Sequence, residues 1–223
     1  MPAPNVPTIT LDTSSGTAIT ISINNQGSTV LHNNIWRSTL SEYDGQFVQI
    51  TQLVAQDSAF VDGLTAHGKS YTYYAEAVGS GGTTASATAQ ATLDLSETTV
   101  FLVNKYLASA NIVAIYGLGQ YFFLVPQDQQ YALAANQYVL TGATPHIGIG
   151  SIEHTQISIL VRYTGPQSVH QFRGAVTNRS MCCFRDLRGN KWFGRLTMSE
   201  SYQATYTDIP LTFQVCEFSE SVV

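Results

Sequence analysis

The chain has 223 residues, of which only 11% are charged, and its formal net charge is -5. That balance excludes a protein built to coat nucleic acid, and the scarcity of Lys and Glu excludes an architecture of long, solvated helices. Thr, Ser, Gln, Asn, Gly and Tyr are plentiful instead, which favours short strands joined by polar turns.

The charge is unevenly spread. Residues 1–95 carry Arg37 and Lys69 against seven acids, whereas residues 96–223 carry eight cations and eight acids. Six of those eight cations fall between Arg162 and Lys191, and Arg195 follows. The break near residue 95 predicts two modules, 1–95 and 96–223, with different surfaces. The opening "MPAPNVPTITLDTSSG" has no basic region followed by an apolar core, so no signal peptide is expected. No apolar run approaches the roughly 20 residues that span a bilayer. Cys182, Cys183 and Cys216 are odd in number and irregular in spacing, which points to a reducing compartment of assembly rather than a disulfide framework.

In chain order, "TAITISI" alternates with Ile19, Ile21 and Ile23 on one face, and "NNIWRSTL" and "QFVQITQLV" follow as further strands. "SYTYYAEAVG" sets Tyr71, Tyr73, Ala75 and Ala77 on one face and Thr72, Tyr74 and Glu76 on the other. "GSGG" then supplies a turn, and "TTASATAQATL" a last strand of small residues. Short strands at this spacing predict a β-sandwich of about a hundred residues.

"GLTAHGKSYTYYAEAVGSGGTTASA" resembles the end of a fibronectin type III domain. Leu64 and Tyr71 fall where that family places its corner leucine and tyrosine, with one extra residue between them, and "VLHNNIWRSTLSEYDGQFVQI" is similar to its middle strands. The likeness covers residues 5–95. It departs at the early-strand Trp, which is aliphatic here. There is no Arg-Gly-Asp tripeptide, so an integrin-type role gains no support.

Residues 96–160 continue as β-branched and aromatic runs: "TTVFLVNKYL", "NIVAIYG", "QYFFLVP", "QYVLTG" and "TQISILVRYT". "TGPQSVHQFRGAVTN" changes period, with Val169, Phe172 and Val176 at helical spacing. A Thr164-x-x-Gln167 capping box, Pro166 in the first turn and Asn178 as a stop predict one short helix over about 165–177.

"SMCCFRDLRGNKWFGRLTMSE" predicts a hairpin over about 181–197 that turns at Gly189 and Asn190. Adjacent residues of a strand face opposite ways, so Cys182 and Cys183 do not chelate one ion, and packing is the expected role of both. Gly194 predicts a bulge or a close backbone approach. Arg185, Arg188, Lys191 and Arg195 lack phosphate-loop glycine spacing. They are the candidate subunit interface, cations at a hairpin tip that meet acids of a neighbouring copy. "PLTFQVCEFSE" is the closing strand and a short acidic tail.

Taken together, residues 97–220 are similar to the split-barrel domain of tail proteins from long-tailed bacteriophages, the distal tail and minor tail group. The likeness is sharp over "FRDLRGNKWFG" and "LTFQVCEFSE". It implies a mostly β chain, a fibronectin type III-like sandwich followed by a split β-barrel tail domain with one short helix. It further implies a structural virion protein of the tail tip, assembled in the host cytoplasm and not an enzyme. Expected partners are copies of itself, six-fold first and three-fold second, and tail tube and hub proteins. An alternative is a host-surface glycan adhesin touching sugar through Tyr43, Tyr73 or Tyr74.

No catalytic, cofactor or metal site is expected. His32, His67, His146, His154 and His170 are scattered, and the pair His146 and His154 has no third ligand at useful spacing. Asp57 and Asp62, or Glu217 and Glu220, form no recognisable acid/base pair. Ser151 in "GIGSIE" lacks the second glycine of a nucleophile elbow.

Overall fold

In the computed structural model the described residues are 2–38, 46–96, 99–103, 112–117, 122–123, 128–138, 146–163, 181–198, 201–202, 207–216 and 220. They form antiparallel strands in three sheets, with no helix and no closed barrel among them. The helix expected at 165–177 lies outside the described residues. The chain groups into two compact units. The first comprises Met1–Gly119, Met181–Trp192 and Phe218–Val223, and the second Gln120–Ser180 and Phe193–Glu217.

The first unit contains two facing sheets. One has the order β1 (Thr8–Asp12), β2 (Ile19–Asn24), β5 (Ala59–Asp62). The other runs β4 (Val48–Val54), β3 (His32–Ser38), β6 (Ser70–Gly79), β7 (Gly82–Ala85), and β8 (Ala89–Thr92) also pairs with β6. The period-2 sequence pattern accounts for this arrangement. Ile19, Ile21 and Ile23 of β2 point inward at 0 to 4% exposure and meet Ile35, Ile50, Phe60, Tyr71, Tyr73, Ala75 and Leu93. Each fully buried Ile or Phe in such a core contributes about 1.5–3 kcal/mol. The alternation expected for "SYTYYAEAVG" is observed: Tyr71, Tyr73, Ala75 and Ala77 are buried and the residues between them are half-buried.

The Tyr71 hydroxyl accepts a hydrogen bond from the Ala66 amide at 2.8 Å. A tyrosine five residues along thereby holds the crossover between the sheets, and Leu64 in that crossover is buried. The first unit also holds β9 (Thr99–Val103), paired to β10 (Ile112–Gly117) on one side and to β14 (Cys182–Arg185) on the other.

The second unit is built on β13 (His146–Tyr163), 18 residues long, or about 60 Å at the usual strand rise. Its later half pairs with β17 (Thr207–Val215) from Gln156↔Gln214 to Tyr163↔Thr207, and with β11 (Phe122–Phe123). Its earlier half pairs with β12 (Asp128–Tyr138). The strand β15 (Lys191–Met198) lies along β17 from Gly194↔Val215 to Met198↔Leu211. The short β16 (Ser201–Tyr202) pairs with the start of β17. A Cβ at Gly194 would sit 2.8 Å from the Gln214 carbonyl carbon and from the Phe213 ring. The close approach expected at this glycine is therefore real.

Candidate functional site: a buried ion network at one end of the sandwich

The inward residues of β3 are Asn33, Ile35 and Arg37, all at 0% exposure. A guanidinium enters the core here because strand parity puts Arg37 on the same face as Ile35. It persists because its charge is matched. Arg37 Nη1 donates to Asp62 Oδ2 at 2.7 Å, and Nη2 pairs with Glu220 Oε2. The guanidinium carbon lies 5.2 Å from the centre of the Tyr71 ring, within cation–π range.

Asp62 ends β5 at 2% exposure and also accepts from Tyr73 Oη at 2.9 Å and from the Leu64 amide at 3.0 Å. Burial alone would push its carboxyl up, but Arg37 and these donors hold it below the usual carboxylate range. Burial and the adjacent Asp62 charge push the Tyr73 phenol well above its ordinary value. Glu220 is likewise penalised by burial, yet Arg37 and Lys191 hold it below the usual range. Lys191 Nζ reaches Glu220 Oε1 at 2.8 Å.

The four hairpin cations expected at a subunit interface divide into two pairs. Arg185 is at 0% exposure; its Nη1 donates to the Thr65 carbonyl at 2.8 Å and its Nη2 to the Thr17 carbonyl at 2.6 Å. Desolvation lowers its pKa to about 10, so it is cationic at neutral pH. Lys191 is 9% exposed and held by Glu220. Arg188 and Arg195 are exposed. The physical reason is cover: Arg185 lies on β14, which is buried on both faces, whereas Arg188 lies in the turn after it.

That turn is organised by Asp186, whose Oδ1 accepts from the Arg188 and Asn190 amides at 2.9 Å each and whose Oδ2 accepts from Asn190 Nδ2 at 2.9 Å. Gly189 has φ +85°, and a Cβ there would meet the His67 carbonyl at 3.1 Å. Both conditions call for glycine.

Cys182 and Cys183 are fully buried thiols, and burial pushes both up to about 12. A thiol that stays protonated and closed to solvent is neither a nucleophile nor a metal ligand at neutral pH. In the sheet register Cys182 stands opposite Leu102 and Cys183 opposite Phe101. Cys216 is exposed.

The remaining candidates fall in separate places. His67 Nδ1 accepts from the Leu95 amide at 2.9 Å. His32 is on β3, and His146, His154 and Ser151 lie within β13, so Ser151 is on a strand rather than on a strand-to-helix elbow. Asp57 Oδ1 accepts from the Asn25 amide at 2.6 Å. Tyr43, His170 and Glu217 lie outside the described residues. Tyr73 is at 0% exposure, bonded to Asp62, which removes it as a sugar-contacting residue. Among the described residues no group of three His, Cys, Asp or Glu side chains gathers to hold a metal ion.

Arg37, Asp62 and Glu220 carry the site, and residue-type searches pass over them. Two signals could have found Arg37: its strand parity with Ile35 and the Arg-Ser pair that ends the strand. Nothing local pointed to Glu220, 183 residues away. Compared with known proteins, the chain matches no family model, no curated protein and no solved structure.

Proposed function

We propose that the chain is a structural subunit of a long-tailed phage tail tip, of the distal or minor tail kind, which assembles with its own copies into a ring. The observation that carries this reading is the ribbon formed by β12 with the first half of β13. Among the described residues, 146–155 of β13 pair with β12 on one edge only, since β17 joins the other edge from Gln156 onward. Among the described residues, β12 has no strand on its far edge. A two-stranded ribbon with open edges is marginal in water and is a template for adding a strand from another chain. Repeating that addition under cyclic symmetry closes a ring. Six subunits is the first expectation and three the second.

Two further observations support the reading. The two segments on which the tail-protein resemblance rests, "FRDLRGNKWFG" and "LTFQVCEFSE", meet where Gly194 of β15 pairs with Val215 of β17. The sheets β1-β2-β5 and β4-β3-β6-β7/β8, with the Tyr71 corner, accord with a fibronectin type III-like sandwich as the N-terminal module. In this reading the interface cations are Arg188 and Arg195, because Arg185 and Lys191 are committed within the subunit.

A glycan-binding role for the sandwich draws on one observation. On the half-buried face of β3 and β6, Trp36 stacks on Tyr74 with centroids 5.7 Å apart, and Phe47 meets Tyr74 edge-on at 4.9 Å. Aromatic faces beside Asn34 and Glu76, which are joined at 3.2 Å, are the chemistry that holds a sugar ring.

Sizing and negative-stain imaging of the purified chain separate the two. Rings that are lost in Arg188→Glu/Arg195→Glu, with the thermal midpoint unchanged, fit the tail part. A chain that stays monomeric at high concentration and binds a cell-wall sugar overturns it.

A further inference from the structure

Among the described residues the large apolar side chains left open to water are Val6, Leu31 and Leu187, at 57, 70 and 48% exposure. Two of them stand at one end of the sandwich. Leu31 lines a cavity of about 260 Å³ with Pro2, Pro4, Val30 and Gly79, and Val6 is next to Asn5, which ties the N-terminal wall of that cavity to the loop after β2. The Asn5 amide donates to Ser28 Oγ at 2.8 Å, Asn5 Nδ2 to the Gln26 carbonyl at 3.1 Å, and Thr84 Oγ1 to the Pro4 carbonyl at 3.1 Å. Glycine at 79 lets Pro4 seat there, since a Cβ would lie 2.6 Å from Pro4 Cγ. The result is a preformed socket with apolar walls.

Leu187 belongs to the opposite end of the same unit. Its turn is held by the three bonds to Asp186, and Arg185 anchors the base to the Thr65 and Thr17 carbonyls. Thr17 lies just before β2 and Thr65 before β6, whereas the socket loop follows β2 and Gly79 ends β6. The ten residues of β6 hold the two ends about 30 Å apart at the usual strand rise. A subunit therefore does not fill its own socket. The charges at the two ends are opposite. Arg188, exposed, follows Leu187. Beside the socket Gln56 Oε1 accepts from the Val30 amide at 3.3 Å and Gln56 Nε2 donates to Asp57 at 3.2 Å, which sets an exposed carboxylate at the rim.

We propose that Leu187 is a knob that enters the Leu31 socket of a second copy of this chain, with Arg188 facing Asp57, so that copies join head to tail. Knob and socket are both held by internal hydrogen bonds, so little order is lost when they meet. The facing charges orient the approach. A contact between opposite ends passes from copy to copy, closing a ring where the rotation allows it and growing a filament where it does not. In taking another copy as the partner, the proposal rests on the self-assembly reading above, but it uses no residue of β12 or β13 and is separable from strand addition at that ribbon.

Cross-linking of the full chain tests it, in a Cys216→Ser background that removes the exposed thiol. Under mild oxidation, Leu31→Cys mixed with Leu187→Cys is expected to form a disulfide-linked dimer that neither variant forms alone. A chain carrying both substitutions gives a ladder of multimers. No cross-link in the mixture beyond that of either variant alone overturns the contact, and so does a ladder that stops at the dimer.

In the otherwise native chain, Leu187→Ser weakens self-association measured by sedimentation on the order of tenfold or more, the scale for one buried leucine. The thermal midpoint stays unchanged, because the side chain is exposed in the single subunit. Rings of undiminished stability in Leu187→Ser overturn the knob and leave the ring reading standing. A chain that forms no rings yet gives the specific cross-link upholds the knob and overturns the ring reading.

Discussion

The two polar ends of β3 solve the same problem in different ways. At one end Asn33 and Asn25, both buried, exchange amide hydrogen bonds at 2.7 and 3.2 Å, and Asn33 Nδ2 also reaches the Ala55 carbonyl at 3.1 Å. The Asn25 amide and side-chain oxygen close on Asp57, a residue at φ +49°. At the other end Arg37, Asp62 and Glu220 are charged. Between them Ile35 packs in an apolar layer. The neutral end links residues 8 to 32 positions apart, so it forms within the sandwich alone. The charged end reaches 183 positions along the chain and recruits segments that come much later. The amide end, with Asp57, is built from nearby residues, whereas the buried guanidinium brings a counter-charge from far along the chain.

The largest expected effect tests the charged end. Arg37→Met keeps the apolar stem but leaves Asp62 and Glu220 buried without their shared cation. Removing one partner of a buried pair costs about 3–5 kcal/mol. Urea denaturation of the variant at pH 7 is expected to show a loss of this size, and part of it returns at lower pH as the two carboxyls take up protons. A loss below 1 kcal/mol would mean that the network is solvated and the contrast between the two ends is wrong.

Asn33→Ala tests the neutral end and comes next. It strands the Asn25 amide group and removes a donor from the Ala55 carbonyl, a cost of about 1–3 kcal/mol for buried groups left unmade. No ionisable side chain is lost, so the loss measured by denaturation is expected to be the same at pH 5 and pH 8. A pH-dependent loss would show that the Asn25–Asn33 pair is coupled to an ionisable group.

How much of this was legible in the sequence follows the range of each interaction. Period-2 alternation gave the faces of β2 and β6, because burial of Ile19, Ile21, Tyr71 and Tyr73 depends only on parity within one strand. The hairpin turn was legible at Gly189, a positive-φ position. The fates of Arg185 and Arg188 were not. Three residues apart in one basic stretch, one is buried against the carbonyls of Thr65 and Thr17 and the other faces water. The difference comes from which distant segment covers β14. Asp62 and Glu220 were equally hidden, since a carboxylate in a loop or an acidic tail reads as solvated until its cation is known.

The smallest effect separates Tyr71 as a strut from Tyr71 as part of the ion network. Its hydroxyl accepts from the Ala66 amide at 2.8 Å, and its ring lies under the Arg37 guanidinium. Tyr71→Phe removes the first and keeps the second, so the expected loss is at least one net hydrogen bond, about 0.5–1.5 kcal/mol. Tyr71→Leu removes the ring as well and adds the cation–π contact, worth about 0.5–2 kcal/mol when desolvated, to the loss. If the Leu variant in an Arg37→Met background loses no more than the Phe variant does, the ring acts through Arg37. If it loses as much as it does beside Arg37, the ring acts through packing alone. The charged end is then held by its carboxylates and not by the aromatic floor beneath it.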